Sequence, residues 1–209
     1  MIETLSMLNV GLTGGIASGK STVDQMFVSK GAYLIDHDAL AHDAEEPDQP
    51  AWREILAFFG EEILNTDRTI NRQKLAAIVF YDKHKRLALM DIVYPFVLAE
   101  WKKRLSEIEK DNPKAIVISD VPLLIESGWY KFVDVVILVY ISREEQIRRM
   151  IERNGYTRQE TEARLASQMS IEKKVGYAHY IIDNSGPVSQ TRTEIDKIWE
   201  ALLDREREN

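Results

Sequence analysis

Gly14, Gly19, Lys20 and Ser21 stand at the spacing G-x-x-x-x-G-K-S, with Gly15-Ile16-Ala17-Ser18 between the two glycines. Glycines let successive backbone N–H groups converge on one point, and a helix N-terminus behind them adds partial positive charge. A phosphate suits both. Lys20 would reach the terminal phosphates as a point charge, and the Ser21 hydroxyl would hold Mg²⁺. The same residues in a bare glycine turn would mean nothing of the kind, so the context decides. Leu8–Thr13 is an apolar run of strand character, and Ser21–Lys30 places Val23, Met26 and Phe27 on one helical face. Strand, loop and helix follow in the required order. Gly14, Gly15, Ile16, Ala17, Ser18, Gly19, Lys20, Ser21 and Thr22 are therefore expected to bind a nucleotide's phosphates.

Carboxylates come next. The run Gly31–Ile35 leads into Asp36-His37-Asp38. In a strand, residues two apart share a face, so both acids would point the same way at the carboxyl edge where open α/β sheets bind ligands. Like charges there serve beside Mg²⁺ or as a base for a hydroxyl. One of the pair is expected to cap the following helix, Ala39–Glu45, and the other to act chemically. Asp120 closes a second apolar strand, Ala115-Ile116-Val117-Ile118-Ser119, where a phosphate-loop protein would carry an acid that helps hold Mg²⁺, directly or through water. As a plain turn residue Asp120 would need no such role.

Between Ser142 and Gln168 the cations are all arginine: Arg143, Arg148, Arg149, Arg153, Arg158 and Arg164. The planar guanidinium fork suits bidentate phosphate contact. Gln146, Arg149 and Arg153 share one helical face, where an anion would relieve the repulsion between the two arginines. Five glutamates lie in the same window, so much of this face is equally a solvated salt-bridge lattice. At least one arginine is expected to reach phosphate. Gly155 divides the segment into two helices that could move as a lid.

Five apolar runs alternate with helices, which predicts a parallel sheet covered on both faces. The helical block from residue 46 to 111 is too long for a plain crossover and reads as an inserted lobe. Within it, Trp52, Ile55, Leu56 and Phe59 recur at helical spacing up to Gly60. Asn71 should cap Arg72–Phe80, and Pro95 should kink or split a helix running from Asp82 through Leu105. The final helix repeats Ile195, Ile198, Trp199 and Leu202, with a frayed charged tail expected from Asp204.

Bulk properties narrow the classes. The chain has 209 residues, 44% hydrophobic and 29% charged, as an ordinary globular protein does. No apolar run is long enough to cross a bilayer, and Met1–Met7 lacks the pattern of a signal peptide. There are no cysteines, hence no disulfide, thiolate metal site or cysteine nucleophile. Four scattered histidines make a zinc site improbable. A net charge of −7 argues against a nucleic-acid surface. The expected setting is the cytoplasm, with no nucleic-acid or membrane partner, and the oligomeric state is left open.

Taken together, the residues from Gly11 to about Gly186 resemble the dephospho-CoA kinases, within the P-loop kinases. The resemblance rests on Gly11-Leu12-Thr13 with the phosphate loop through Thr22, on Asp36-x-Asp38, and on Phe59-Gly60. It continues through Asn71-Arg72-x-x-Leu75, Val79-Phe80, Pro122-Leu123-Leu124-Ile125-Glu126, Gln146-x-x-Arg149, Gln168 and Ile182-Asp183-Asn184-Ser185-Gly186. It implies an α/β P-loop NTPase three-layer fold, with a five-stranded parallel sheet in the order 2-3-1-4-5. The expected parts are a nucleotide-binding core (1–45, 112–141 and 176–209), a helical acceptor-binding lobe (46–111) and a helical lid (142–175). The implied activity is ATP-dependent phosphorylation of the ribose 3′-hydroxyl of dephospho-CoA, with Mg²⁺, the last step of coenzyme A synthesis. By matched position Asp38 is the base, with Lys20 and Arg149 also catalytic. Arg149 and Asn184 join the loop in binding ATP, Asp38, Arg72, Leu123 and Leu124 bind the acceptor, and Ser21 and Asp120 serve the metal. Tyr94-Pro95 replaces the family's usual His-Pro, and Asp67-Arg68 replaces its common Asp-Gly, so that turn is expected to differ. The rival readings are another small-molecule P-loop kinase and a nucleotide-dependent switch. The latter lacks the Asn-Lys-x-Asp segment that would specify guanine.

Overall fold

The computed structural model describes residues 7–208, so the signal-peptide reading of Met1–Met7 lies almost wholly outside it. In chain order come β1 (Leu8–Gly14), α1 (Lys20–Val28), β2 (Tyr33–Asp36), α2 (His37–Ala44), α3 (Pro50–Phe59), α4 (Arg72–Tyr81) and α5 (Lys83–Asp111). They are followed by β3 (Ile116–Asp120), β4 (Val135–Tyr140), α6 (Arg143–Asn154), α7 (Arg158–Ala166), the single turn α8 (Ile171–Lys174), β5 (Tyr180–Asp183) and α9 (Val188–Glu208). Two compact units emerge. One holds the chain up to Ile35 and from Glu107 onward, the other Asp36–Ser106.

The first unit is built on a five-stranded sheet in the order β2-β3-β1-β4-β5, as expected. The pairs β1–β3, β1–β4 and β4–β5 are parallel. Strand periodicity sorts its residues onto two faces. Leu8, Val10 and Leu12 join Ile116, Ile118, Val135, Ile137, Val139 and Ile182 against Val23 and Phe27 of α1 and Ile195, Ile198 and Leu202 of α9. Each such side chain contributes roughly 1.5–3 kcal/mol on burial. The alternate β1 positions, Asn9, Gly11 and Thr13, face the other way. There Ser119 donates to Asn9 Oδ1 at 2.8 Å, and a side chain at Gly11 would collide with Leu124, 2.7 Å from where its Cβ would stand. Register sets Leu12 beside Asp120, bringing the ends of β1 and β3 level. α9 stays helical to Glu208, so the expected fraying from Asp204 is not found.

The second unit is helical. α3 buries Ala51, Trp52, Ile55 and Phe59 and stops at Gly60. Asn71 caps α4 as expected, its side chain accepting from the Lys74 N–H at 3.0 Å. Of the two outcomes expected at Pro95, a split does not occur: α5 runs as one helix from Lys83 to Asp111 with Pro95 inside. Buried Val93, Val97, Trp101 and Leu105 carry it past the proline, since one lost N–H is outweighed by an apolar stripe on both sides. At the Asp67-Arg68 turn, Arg68 adopts the left-handed φ of 69° that glycine favours. Local contacts support it. Asp67 accepts from the N–H and hydroxyl of Thr69, Trp52 Nε1 donates to the Arg68 carbonyl, and the Arg68 guanidinium lies over the Trp52 ring.

Candidate active site

The phosphate loop leaves β1 and enters α1 through Gly19, whose φ of 85° demands glycine. Three side chains hold its outer edge. Gln146 Nε2 donates to the Ile16 carbonyl at 2.8 Å, Arg149 Nη1 approaches the Ala17 carbonyl at 3.5 Å, and Asn184 Nδ2 donates to the Ser18 carbonyl at 2.7 Å. In a trans peptide the C=O and the next N–H point oppositely, and no cis peptide occurs among the described residues. Fixing these carbonyls outward therefore turns the N–H groups of Ala17 and Gly19 inward. The N–H of Ser18 closes a turn on Gly15 at 3.1 Å. At the start of α1 the N–H groups of Lys20 and Ser21 have no acceptor within the helix and add to the same concavity, while those of Thr22 and Val23 turn back on the Gly19 carbonyl. Ala17 is held at a φ of 60°, unfavourable for a non-glycine residue, which marks a backbone shaped by its surroundings.

Gly15 is required for a different reason. A Cβ there would lie 2.1 Å from Gln146 Nε2, and Gln146 is only 3% exposed. Arg149 links the parts: its Nη2 donates to the Asn184 carbonyl at 2.7 Å and its Nε to Glu145 at 2.8 Å. Hydrogen bonds from Arg148 and Arg149 hold the Glu145 carboxyl down to about 2. Asn184 is itself fixed by the Thr191 hydroxyl, 2.9 Å from its Oδ1.

Lys20, the first residue of α1, is paired with Asp120 at the end of β3. Ser21 follows it on the exposed side of the helix. Hydroxyl and carboxylate are hard oxygen donors of the kind Mg²⁺ takes. Among the described residues no group of three or more His, Cys, Asp or Glu could hold a metal unaided. Ser21 and Asp120 are two such oxygen donors, so an ion held by them would take the rest of its coordination from other groups. Leu124 is fully buried, packed against Gly11, whereas Leu123 keeps partial exposure.

In the second unit the acidic pair divides its labour, though not along a strand. β2 ends at Asp36, and Asp38 lies in the first turn of α2. The expected shared strand face is therefore absent, because the chain turns helical as soon as Asp36 caps it. Asp36 Oδ1 accepts from the N–H of Asp38 at 2.9 Å and of Ala39 at 3.1 Å. Asp38 itself is exposed. Arg72 Nη2 lies 3.1 Å from Glu45. Burial pushes the Glu45 carboxyl up, and the charges of Arg72 and His42 only partly offset it.

Of the arginines between residues 142 and 168, Arg149 reaches the phosphate loop. Arg148 is held by Glu145 and Glu152, and Arg158 by Glu144 and Glu162. Arg164 lies 3.8 Å over the Tyr156 ring. Arg153 is exposed and bonded to Asn154, so it does not share Arg149's surroundings. The salt-bridge lattice holds Arg148, Arg149 and Arg158 of this cluster. Sequence reasoning missed Lys174. It sits in Glu172-Lys173-Lys174, which reads as solvated charge, and only its i, i+3 relation to Ile171 hints at a buried face.

Comparison with known proteins agrees with this geometry. The dephospho-CoA kinase family model matches residues 8–190. A dephospho-CoA kinase of Syntrophus aciditrophicus is 54% identical over 202 residues, spanning 97% of this chain and 86% of the relative. One from Corynebacterium efficiens is 40% identical over 95% of this chain and 99% of its own length. Among solved structures, TT1252 from Thermus thermophilus superposes with a TM-score of 0.78 at 33% identity, covering 95% of this chain and 97% of that one. Dephospho-CoA kinase from Campylobacter jejuni gives 0.62 at 27%, covering 94% and 98%. A shikimate kinase from Acinetobacter baumannii, 19% identical with a TM-score of 0.51, shares the fold alone. With the match running from the first strand into α9, the chain belongs to the dephospho-CoA kinase family.

Proposed function

We propose that this chain transfers the γ-phosphoryl group of ATP to the ribose 3′-hydroxyl of dephospho-CoA, giving coenzyme A and ADP. The observation that carries the reading is the phosphate loop, with its carbonyls held outward by Gln146, Arg149 and Asn184. A cradle preorganised this way meets phosphate charge without reorganising during the reaction. Membership of the family supports dephospho-CoA as the acceptor.

In this reading the loop from Gly14 to Thr22 binds the phosphates of ATP. Lys20 exchanges its Asp120 partner for phosphate oxygens, leaving the Asp120 carboxylate for the metal side of the site. Ser21 and Asp120 would hold Mg²⁺, which supplies neutralisation of charge on the phosphates. Asp38 accepts the proton of the 3′-hydroxyl as that oxygen attacks phosphorus. Arg72 is the acceptor-side cation, and Leu123 lines the acceptor's path. Arg149 and Lys20 neutralise the transferring group, so the acceleration is chiefly positional and electrostatic. The hairpin of α6 and α7 excludes water, since an open site would hydrolyse ATP. In this proposal the enzyme works in the cytoplasm; among the described residues no helix is long and apolar enough to cross a membrane.

The test is an acceptor panel with ATP: dephospho-CoA, nucleosides, nucleoside monophosphates and shikimate, with products identified by mass. Transfer confined to dephospho-CoA is expected. Transfer to a nucleoside or nucleotide and none to dephospho-CoA would overturn the assignment in favour of another small-molecule kinase.

A further inference from the structure

Lys174 ends the single turn α8 and has no solvent exposure. Its Nζ lies 2.9 Å from Glu126 Oε1, 3.2 Å from the Gly14 carbonyl and 3.5 Å from the Pro122 carbonyl. An ammonium has three protons and finds three acceptors here. Glu126 Oε1 also accepts from the Met169 N–H at 3.1 Å, while its Oε2 is buried without a hydrogen-bond partner. Thr13 donates to the same Pro122 carbonyl at 3.1 Å. Three segments thus meet at one ammonium: the start of the phosphate loop, the turn after β3, and the chain leaving α7.

A buried ion pair adds little net stability over apolar residues of the same volume. What it adds here is direction. Among these contacts, the one to Gly14 bears on the nucleotide, because Gly14 is the first residue of the phosphate loop and its peptide plane sets where the following N–H points. On the other side Gly15 is backed by Gln146, with no room for a Cβ. We propose that Lys174 is a positioning residue for nucleotide binding: its Nζ fixes the Gly14 carbonyl and thereby the entry of the phosphate loop, with Glu126 as the counter-ion that lets the ammonium stay buried. Lys174 touches no substrate in this role. It works through the backbone.

The inference rests on the nucleotide-binding half of the proposed function and is read without any acceptor. ATP affinity by calorimetry and melting temperature are measured for full-length wild type, Lys174→Met and Lys174→Met/Glu126→Leu. The single variant strands the Glu126 charge and should lose both melting temperature and ATP affinity. The double variant removes both charges, so it should regain most of the melting temperature while ATP binding stays weaker by about tenfold or more. A double variant that regains its melting temperature and binds ATP as wild type does overturns the proposal, leaving a purely structural ion pair. If the double variant does not fold, Lys174→Gln decides, since it keeps a donor but no charge. ATP affinity closer to wild type than that of Lys174→Met supports the carbonyl contact, and affinity no better than Lys174→Met overturns it. Wild type that binds ATP yet leaves dephospho-CoA unphosphorylated would refute the acceptor assignment and leave this test standing.

Discussion

Replacing Gly15 by alanine isolates one contact on which the loop's shape depends. The added Cβ would stand 2.1 Å from Gln146 Nε2, and an ordinary contact begins near 3.4 Å, so the amide must retreat by about 1.3 Å. Gln146 is only 3% exposed, and its 2.8 Å bond to the Ile16 carbonyl breaks as it moves. Leaving those partners unsatisfied costs about 1–3 kcal/mol, and overpacking typically adds about 1–3 kcal/mol. Gly15→Ala should therefore cost at least about 2 kcal/mol, divided between stability and ATP binding, where each 1.4 kcal/mol is tenfold in affinity. The assay is a double-mutant cycle with Gln146→Ala, read by denaturant unfolding and ATP calorimetry. Gln146→Ala gives up the Ile16 bond by itself and opens the space a methyl needs. In that background Gly15→Ala should cost no more than about 0.5 kcal/mol, a coupling of the size seen for residues in contact. An equal cost in both backgrounds would refute the reasoning, because the added methyl would then not be felt through Gln146.

Asp36→Ala removes the cap of α2 and should cost about 1 kcal/mol in denaturant unfolding, with Asp36→Ser losing less; no change would mean the cap contributes nothing. It should also lower turnover, since Asp38 sits in the turn that Asp36 closes. Arg149→Lys leaves one ammonium where a fork served Glu145, Ala17 and Asn184, and ATP affinity should fall about tenfold by calorimetry. Unchanged affinity would show that these contacts do not shape the loop. The Glu145 carboxyl is held down to about 2, so its contribution to stability is present above pH 4.5 and lost as pH falls from 4.5 towards 2. Glu145→Gln should flatten the acid limb of melting temperature against pH within that window; parallel limbs for variant and wild type would contradict it.

Much of this architecture was legible in the sequence, for identifiable reasons. The run ending at Asp120 and Val133–Ile141 are apolar on both faces, which marks interior strands of a parallel sheet, and Leu8–Thr13 alternates Leu8, Val10 and Leu12 with Asn9, Gly11 and Thr13. Asn71 and Gly60 announced their helix ends because caps are local chemistry. The proline rule is local too, and could not show that buried residues on both sides of Pro95 keep α5 in one piece. Asp36 and Asp38 were found as a pair, but spacing alone could not tell a strand face from a cap followed by a helix. The arginines were visible as a cluster, yet which one reaches the loop depends on the turn at Asn184, 35 residues away in sequence. Lys174 lay beyond reach for the same reason. Its acceptors, Gly14 and Glu126, are 160 and 48 positions distant, and nothing near it in sequence says that its ammonium is buried.

The central claim, that a preformed phosphate cradle serves a hydroxyl acceptor whose proton goes to Asp38, is tested most directly by single-turnover transfer to dephospho-CoA in Asp38→Asn, with ATP affinity measured on the same preparation. Asparagine keeps the shape and removes the base, so transfer should fall by about a hundredfold or more while ATP binds as in wild type. Near-normal transfer with ATP bound would contradict the account.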